Sequence, residues 1–216
     1  MGPMKTACLA LAAVLLPLSS VSLAVPDVYT IESFFDVWAD VTLVEDFEDP
    51  LIPHDTQLQP LIHNGITYTG TQATNPNVWV ASAGYNNFGV PLTTSSVLTG
   101  NGPEEFVIDL SAFSYTAISF DAYLNNLGPV VVEVYGSGPV PILTHIDLRG
   151  AGMWFTGYTT GEPITSIHWV STGGAQVNTG IDNLRAGDYV VPAPGAVLLG
   201  AIGTCLVGWL RRRRSL

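Results

Sequence analysis

From about residue 106 onward, apolar and polar residues alternate along the chain with a period of two. Five runs show this alternation, and their predicted inward-facing members are Phe106, Ile108 and Leu110; Ile118, Phe120 and Ala122; Val130, Val132 and Val134; Ile142, Thr144, Ile146 and Leu148; and Ile167 and Trp169. Successive side chains of a strand point to opposite faces of a sheet, so each run predicts a strand with one buried face. Turn signals separate the runs, at residues 64–65, 100–103, 136–139 and 173–174. The pattern predicts a mainly β fold, an antiparallel β-sandwich or jelly roll.

One helical pattern precedes the strands. Its apolar residues recur at the spacing of one helix face: Ile31, Phe34, Phe35, Trp38 and Val41. Thr30 is placed to cap the start of this helix. We expect a short amphipathic helix whose apolar stripe packs on the sandwich, with a partner-binding stripe as the alternative.

The first 24 residues have the composition of a secretory signal peptide. Lys5 precedes an apolar run over residues 7–18, and small residues at 22 and 24 provide a cleavage site. The alternative is an uncleaved anchor, but the apolar run is short for a membrane of ~30 Å. The prediction is a signal peptide over 1–24 and an exported domain over 25–188.

Residues 189–216 form a third segment with its own composition. It contains the motif Val191, Pro192, Ala193 and Pro194, then an apolar run over 195–210, then Arg211, Arg212, Arg213 and Arg214. Sixteen helical residues extend about 24 Å, which predicts a transmembrane helix over 195–210, slightly short for the bilayer core. The arginine cluster 211–214 is expected to stay in the cytoplasm. A permanent single-pass anchor is the alternative to a temporary one.

Charge is distributed unevenly along the chain. The formal net charge is -11, but between the two ends only Arg149 and Arg185 oppose 18 acidic residues, a balance of -16. Such a surface argues against nucleic acid as a partner, because binding phosphates requires a basic face. Cys8 and Cys205 both lie in the end segments, so the central domain has no cysteine for a disulfide or for thiolate chemistry.

The segment from Val191 to Arg214 resembles the PEP-CTERM sorting signal of Gram-negative and related bacteria, with Ala193 in place of the glutamate of the family name. The resemblance implies a single-pass precursor in the inner membrane and recognition by an exosortase that cuts near the Pro-x-Pro motif. It also implies delivery to the cell surface or the extracellular space, among bacteria that make extracellular polysaccharide and biofilm matrix.

The order of elements is similar to that of a recurring exported PEP-CTERM domain. The matching pieces follow the helix as a Phe-Glu strand (44–48), an aromatic-Gly-aromatic segment (155–158), a Pro-Ile strand (162–167) and a closing Ile-Asp-Asn-Leu (181–184). The resemblance implies a jelly roll like many carbohydrate-binding modules. It further implies a structural calcium held by Glu48, Asp182 and Asn183, with Asp46 assisting. The alternative is that Asp182 and Asn183 only make hydrogen bonds at the strand end.

Candidate ligand-binding residues lie in the stretch 75–89, where Trp79, Tyr85 and Phe88 are interleaved with asparagines. Aromatic rings of this kind stack on sugars when exposed, whereas the alternative is that they fill the core. No spacing typical of a catalytic zinc site or a nucleophile elbow occurs, and Glu104 and Glu105 are expected in a solvated loop. We therefore expect a non-enzymatic exported protein with a structural or adhesive role in exopolysaccharide, with a carbohydrate-binding lectin as the alternative and a weak glycoside hydrolase as a third option.

Overall fold

The computed structural model describes residues 26–71, 76–85, 95–100, 104–172 and 179–190. Within these ranges the chain forms thirteen strands and one short helix. In chain order they are β1 (Asp27–Tyr29), α1 (Glu32–Trp38), β2 (Ala39–Glu45), β3 (Leu61–His63), β4 (Ile66–Gly70), β5 (Val78–Ala81), β6 (Val97–Gly100), β7 (Phe106–Asp109), β8 (Ala117–Leu124), β9 (Val130–Tyr135), β10 (Pro141–Asp147), β11 (Gly152–Thr159), β12 (Ser166–Ser171) and β13 (Gly180–Tyr189). The predicted signal peptide and sorting segment from residue 191 onward lie outside the described residues.

The strands form two antiparallel sheets. Sheet A has seven strands in the order β1-β11-β8-β13-β6-β5, and β2 also pairs with β13. Sheet B has six strands in the order β10-β9-β12-β7-β4-β3. Strand β13 extends to Tyr189, one residue beyond the predicted domain boundary at 188. The predicted mainly β fold is confirmed as a β-sandwich-like arrangement of two antiparallel sheets with one helix.

The core lies between the two sheets. The ring of Phe120 on sheet A lies 5.9 Å from that of Trp169 on sheet B, and Trp169 stacks on Phe106 at 5.8 Å. The inward positions predicted for β7, β8, β9 and β12 are at most 1% exposed, which confirms them as core positions. Strand β8 is also buried on its other face, where Ser119 and Tyr123 are 0% and 5% exposed. Burying apolar area on this scale supplies most of the driving force for folding.

Strand β10 is the exception, because its predicted faces are reversed. Ile146 and Leu148 are 55% and 78% exposed, whereas Asp147 between them is 3% exposed. The pairing of β10 with β9 shifts register between Pro141 and Leu143. An extra residue of this kind moves every following side chain to the opposite face. The polar members of the strand therefore point inward at this edge of sheet B.

The helix is shorter and less buried than predicted. It spans only Glu32–Trp38, Ile31 occupies the N-cap position without a side-chain cap, and Val41 belongs to β2. Phe35 is fully buried, but Ile31 and Phe34 are 50% and 61% exposed, so the predicted apolar stripe does not pack as a whole. Val37, outside the predicted stripe, is also 61% exposed.

Phe35 is the residue that fixes α1 on the outer face of sheet A. Its ring lies 5.8 Å from that of Tyr29 and 5.8 Å from that of Phe155. A methyl group placed on Gly157 would come within 2.6 Å of Cδ2 of Phe35. The glycine in the aromatic-Gly-aromatic segment 155–158 therefore provides the space into which the phenylalanine packs.

Two predicted strand boundaries are wrong and one predicted turn is present. Strand β2 ends at Glu45, and Phe47 has a positive φ of 55°, so the segment 44–48 is not one continuous strand. Strand β12 begins at Ser166, later than the predicted 162–167. Asn64 and Gly65, which join β3 to β4, have φ values of 48° and 79°, as a two-residue hairpin turn with two left-handed residues requires.

Among the described residues, no helix has the length and apolar character needed to cross a membrane. The predicted transmembrane helix over 195–210 lies outside that part of the chain.

Candidate functional site

The residues predicted to hold calcium come together at one side of sheet A. Glu48 follows β2, and Asp182 and Asn183 lie in β13. The hydroxyl of Ser95 donates to Oδ2 of Asp182 and lies 3.3 Å from Oε1 of Glu48, so this serine joins the two carboxylates. The backbone N–H of Ser96 also donates to Glu48, at 2.5 Å. The structure thus places the carboxylate of Glu48, from the first part of the chain, near Asp182 in the last strand, β13.

A third carboxylate completes this group. Nδ2 of Asn183 donates to Asp121 on β8 at 2.8 Å, and the backbone N–H of Asn183 donates to Asp182 at 2.6 Å. Burial, followed by the charges of Asp121 and Glu48, raises the pKa of Asp182 to about 6, against the hydrogen bonds that it accepts. A bound cation would relieve the repulsion among these three carboxylates.

The hydrogen bonds at this site are also those of the alternative without calcium. Asp46, the predicted assisting residue, accepts from the N–H of Glu48 at 3.1 Å rather than pointing to the other acids. Among the residues that the structure describes, no group of three or more His, Cys, Asp or Glu side chains has the arrangement of a metal site. Calcium at Glu48, Asp182 and Asn183 stays a prediction.

Two of the three predicted ligand-binding aromatics contact each other. The rings of Trp79 and Tyr85 meet edge to face at 5.3 Å, and both side chains are half-buried. Tyr85 packs against a small apolar cluster of Ala81, Val97 and Tyr123. The indole N–H of Trp79 is buried and has no acceptor among the described residues. Phe88 lies outside the described residues.

A histidine held between two acids was not foreseen from the sequence. Nδ1 of His63 contacts Oε2 of Glu45, and Nε2 lies 3.3 Å from Oδ2 of Asp49. Glu45 is 2% exposed and also accepts from Nδ2 of Asn64 at 2.9 Å. Burial alone would lower the pKa of His63, but the hydrogen bonds and charges of Glu45 and Asp49 outweigh it and raise the pKa. Because both ring nitrogens are engaged, the residue fastens the β3–β4 hairpin to the end of β2.

The prediction of a solvated loop is wrong for Glu104. This residue is 5% exposed, has a positive φ of 56°, and accepts the backbone N–H of Thr179 at 2.7 Å. Burial raises its pKa to about 8, although the bond from Thr179 acts in the opposite direction. Glu105 beside it is half-buried. A glutamate next to a Gly-Pro turn gives no sequence signal for burial. Its partner, Thr179, lies just before β13 and is 75 residues away in the sequence.

Arg149 anchors a second network at the exposed end of the sandwich. Its Nε donates to Asp147 at 2.9 Å, its Nη1 donates to the carbonyl of Phe155 at 2.8 Å, and its Nη2 reaches both Asp147 and Thr156. Burial alone would raise the pKa of Asp147, but the contacts with Arg149 outweigh it and lower the pKa. The guanidinium also lies 5.6 Å from the ring centre of Trp154. The sequence signal was available, since Arg149 is one of two cations in the central domain.

An open cleft of about 240 Å³ lies beside this network. Its walls come from the β8–β9 loop (125–129) and the β10–β11 loop (148–150). The lining contains asparagine, glycine, proline, leucine and Arg149, and none of the lining residues carries a carboxyl group. Sequence reasoning missed the cleft because its parts come from two loops that only the fold brings together.

No protein-family model matches the chain, and comparison with the curated proteins found no match.

Proposed function

We propose that the chain is a non-enzymatic exported protein with a structural or adhesive role at the cell surface or in an exopolysaccharide or biofilm matrix. The observation that carries the proposal is the order of the Pro192-x-Pro194 motif, the apolar run 195–210 and the arginine cluster 211–214. In this proposal the N-terminal 24 residues direct export, the precursor spans the inner membrane once, and an exosortase processes it. The central domain is then a jelly roll, the finer form of the sandwich-like fold.

The chemistry of the described domain supports a binding rather than a catalytic role. His63 lies between two acids, His54 lies 2.9 Å from the carbonyl of Phe47, and His145 lies 3.0 Å from the Tyr158 hydroxyl. The fourth, His168, packs against the ring of Tyr135 at 4.3 Å. Each of these side chains has a structural partner, whereas a general base needs a ring nitrogen turned toward a substrate.

The proposal is tested by the mass of the mature protein. The full-length chain is produced in a host that carries an exosortase, and intact mass and the C-terminal peptide are measured in membrane and extracellular fractions. We expect loss of residues beyond about Pro194, and added mass there if the new end is attached to lipid or glycan. A double variant, Pro192→Ala with Pro194→Ala, should keep its tail and stay in the membrane fraction.

A chain that still extends to Leu216 in the membrane fraction, in both wild type and variant, would contradict the proposal. It would identify a permanently anchored surface protein instead. Substituting Pro139 and Pro163, two exposed prolines of the central domain, is the matched control, because neither belongs to the sorting motif. This control should be processed as the wild type is.

A carbohydrate-binding module is the second candidate. The observation that favours it is Trp154, which is 40% exposed and contacts Arg149 and Gly150, two residues that line the cleft. The third option, a weak glycoside hydrolase, requires two carboxyl groups roughly 5–9.5 Å apart across a cleft. The lining of the described cleft carries no carboxyl group, so it favours binding over hydrolysis.

A further inference from the structure

We propose that the cleft between the β8–β9 and β10–β11 loops binds one neutral sugar ring of a polysaccharide chain, and that the adjacent Trp154, which contacts the lining residues Arg149 and Gly150, provides a stacking surface at its edge. This inference rests on the proposed adhesive function for its ligand class and gives that function a site. None of the residues that line this cleft belongs to the candidate stretch 75–89, so the two locations make separate predictions.

Trp154 is held in place as a rigid platform. Its indole N–H donates to the carbonyl of Gly150 at 2.8 Å, and the Arg149 guanidinium lies over one face of the ring, 5.6 Å from its centre, so a sugar would stack on the other face. Trp154 nevertheless remains 40% exposed. Because the ring is already fixed, its side chain loses little conformational entropy when a ligand binds. The C–H face of a pyranose packs on such a partly exposed aromatic surface.

The two loops that form the walls are fastened to each other. Oδ1 of Asn126 accepts the backbone N–H of Ala151 at 3.0 Å, which joins the β8–β9 loop to the β10–β11 loop. Within its own loop, Oδ1 of Asn125 accepts the N–H of Leu127 at 2.9 Å. These bonds keep the cleft open in one shape, so a ligand would not have to order it.

The walls also carry polar groups suited to hydroxyls. The Nδ2 group of Asn126 has no acceptor among the described residues, and Asn126 is exposed. Arg149 has five N–H donors, and its contacts to Asp147, Phe155 and Thr156 leave one hydrogen on Nη1. Sugar hydroxyls both donate and accept, so they can pair with these donors and with the loop carbonyls.

Charge favours a neutral sugar over an acidic one. The positive charge of Arg149 is balanced by Asp147, whose carboxylate it contacts through both Nε and Nη2. The central domain has a balance of -16 and would repel an anionic polymer. The cleft is thus a neutral region on an acidic molecule.

The size and surroundings of the cleft agree with one ring of a longer chain. About 240 Å³ is below the range of roughly 300–1,000 Å³ typical of sites that enclose a drug-sized ligand. Leu148 in the wall and Leu127 in the β8–β9 loop are 78% and 64% exposed. These apolar side chains extend the contact surface beyond the cleft, toward neighbouring rings of a bound polymer.

The test is retention of the full-length chain in native gels that contain a soluble polysaccharide. The protein is kept in a polyoxyethylene detergent, because alkyl glycoside detergents would compete for the site. The neutral probes are a β-1,4-glucan, a galactomannan and an α-1,6-glucan, and alginate is the anionic probe. We expect retention by at least one neutral polymer, and a loss of about tenfold in affinity for Trp154→Ala, which corresponds to about 1.4 kcal/mol.

The matched controls separate binding from folding. Trp154→Phe keeps a stacking ring and should keep most of the affinity. Asn126→Ala removes the bond between the two loops together with an amide donor, and should lower affinity by about threefold. Trp79→Ala should bind as the wild type does. Retention by none of the neutral polymers, stronger retention on alginate, or a loss caused by Trp79→Ala but not by Trp154→Ala would each overturn the proposal. The outcome is independent of C-terminal processing, so failure of the site and failure of the sorting proposal are distinguishable.

Discussion

At the scale of single residues, Gly157 is a position with no room for a side chain. It lies in β11, and a Cβ atom there would come within 2.6 Å of the ring of the buried Phe35. We expect Gly157→Ala to displace the ring and to lower the free energy of unfolding by about 1–3 kcal/mol, the usual cost of overpacking. Urea unfolding followed by fluorescence measures this loss.

Gly138 is the matched control for that substitution. A Cβ atom at Gly138, in the turn between β9 and β10, would meet nothing within 4 Å. Gly138→Ala should therefore change the free energy of unfolding by less than about 0.5 kcal/mol. Equal losses in the two variants would show that α1 does not depend on the contact between Phe35 and Gly157.

Glu104 makes stability depend on pH in a direction that is opposite to that of most paired acids. Its pKa rises from 4.5 to about 8 in the folded state, because burial penalises the charged form. Between these values the unfolded chain has lost the proton that the folded chain still holds, so stability falls as pH rises from about 4.5 to 8 and then levels off. Glu104→Gln keeps an acceptor for Thr179 and removes this loss.

The measurement is the free energy of unfolding of wild type and variant at pH 5 and pH 9. We expect Glu104→Gln to gain on the order of a few kcal/mol over the wild type at pH 9 and little at pH 5. Glu105→Gln, at a half-buried neighbour, should follow the wild type at both values. If Glu104→Gln shows the same pH dependence as the wild type, the glutamate is ionised in the fold at neutral pH.

At the scale of secondary-structure elements, His63 connects two of them. It joins the β3–β4 hairpin to Glu45 and Asp49, and its pKa lies above the ordinary 6.5. Because this pKa is raised in the folded state, the stabilisation that His63 contributes is complete below pH 6.5 and is lost as the pH rises through the pKa of the folded protein. We expect His63→Gln to lower the thermal midpoint most at pH 6 and least at pH 9.

His168 provides a control with the opposite sign. Burial lowers its pKa, against the charge of Glu133, so the neutral ring is the form that the fold favours. His168→Gln should therefore remove a contribution to stability that increases, rather than decreases, as pH rises through 6.5. Variants of the two residues with the same pH dependence would contradict both assignments. Titration of the ring resonances by NMR gives the two pKa values directly.

The elements also show which features a linear pattern can predict. The alternation in β7, β8, β9 and β12 identifies the core positions because each strand pairs in continuous register with at least one neighbour: β8 with β11, and both β7 and β9 with β12. In β10 one extra residue reverses the faces, and Ile142, the residue between Pro141 and Leu143, gives no sequence signal of the shift. The predicted helix was too long because Val41 fits both a helix stripe and the strand that it actually joins.

At the scale of the whole molecule, the candidate sites could be predicted only in part. Glu48 and Asp182 are joined through Ser95 because the first and last parts of the chain meet in sheet A, while calcium at Glu48, Asp182 and Asn183 stays a prediction. The cleft beside Trp154 was not predicted, since it depends on Asp147 turning inward after the shift in β10. Arg149 is held there by its hydrogen bonds to Asp147, and in this position it contacts Trp154.

The whole-molecule charge decides how calcium should act. With a balance of -16 in the central domain, any added salt reduces self-repulsion and should raise the thermal midpoint. A specific site is therefore recognised only by comparing calcium with magnesium at equal ionic strength, because Ca²⁺ accepts irregular oxygen ligands that Mg²⁺ does not. We expect calcium to raise the midpoint further than magnesium.

Glu48→Gln should abolish that difference, because Glu48 is the carboxylate that brings the segment after β2 to Asp182 through Ser95. Its exposed position makes this variant safer for folding than a change at the buried Asp182. Asp188→Asn removes one charge from an exposed position in the same last strand, away from Ser95, and should keep the calcium effect. Equal midpoints in calcium and magnesium for the wild type would mean that Glu48, Asp182 and Asn183 are joined by hydrogen bonds alone.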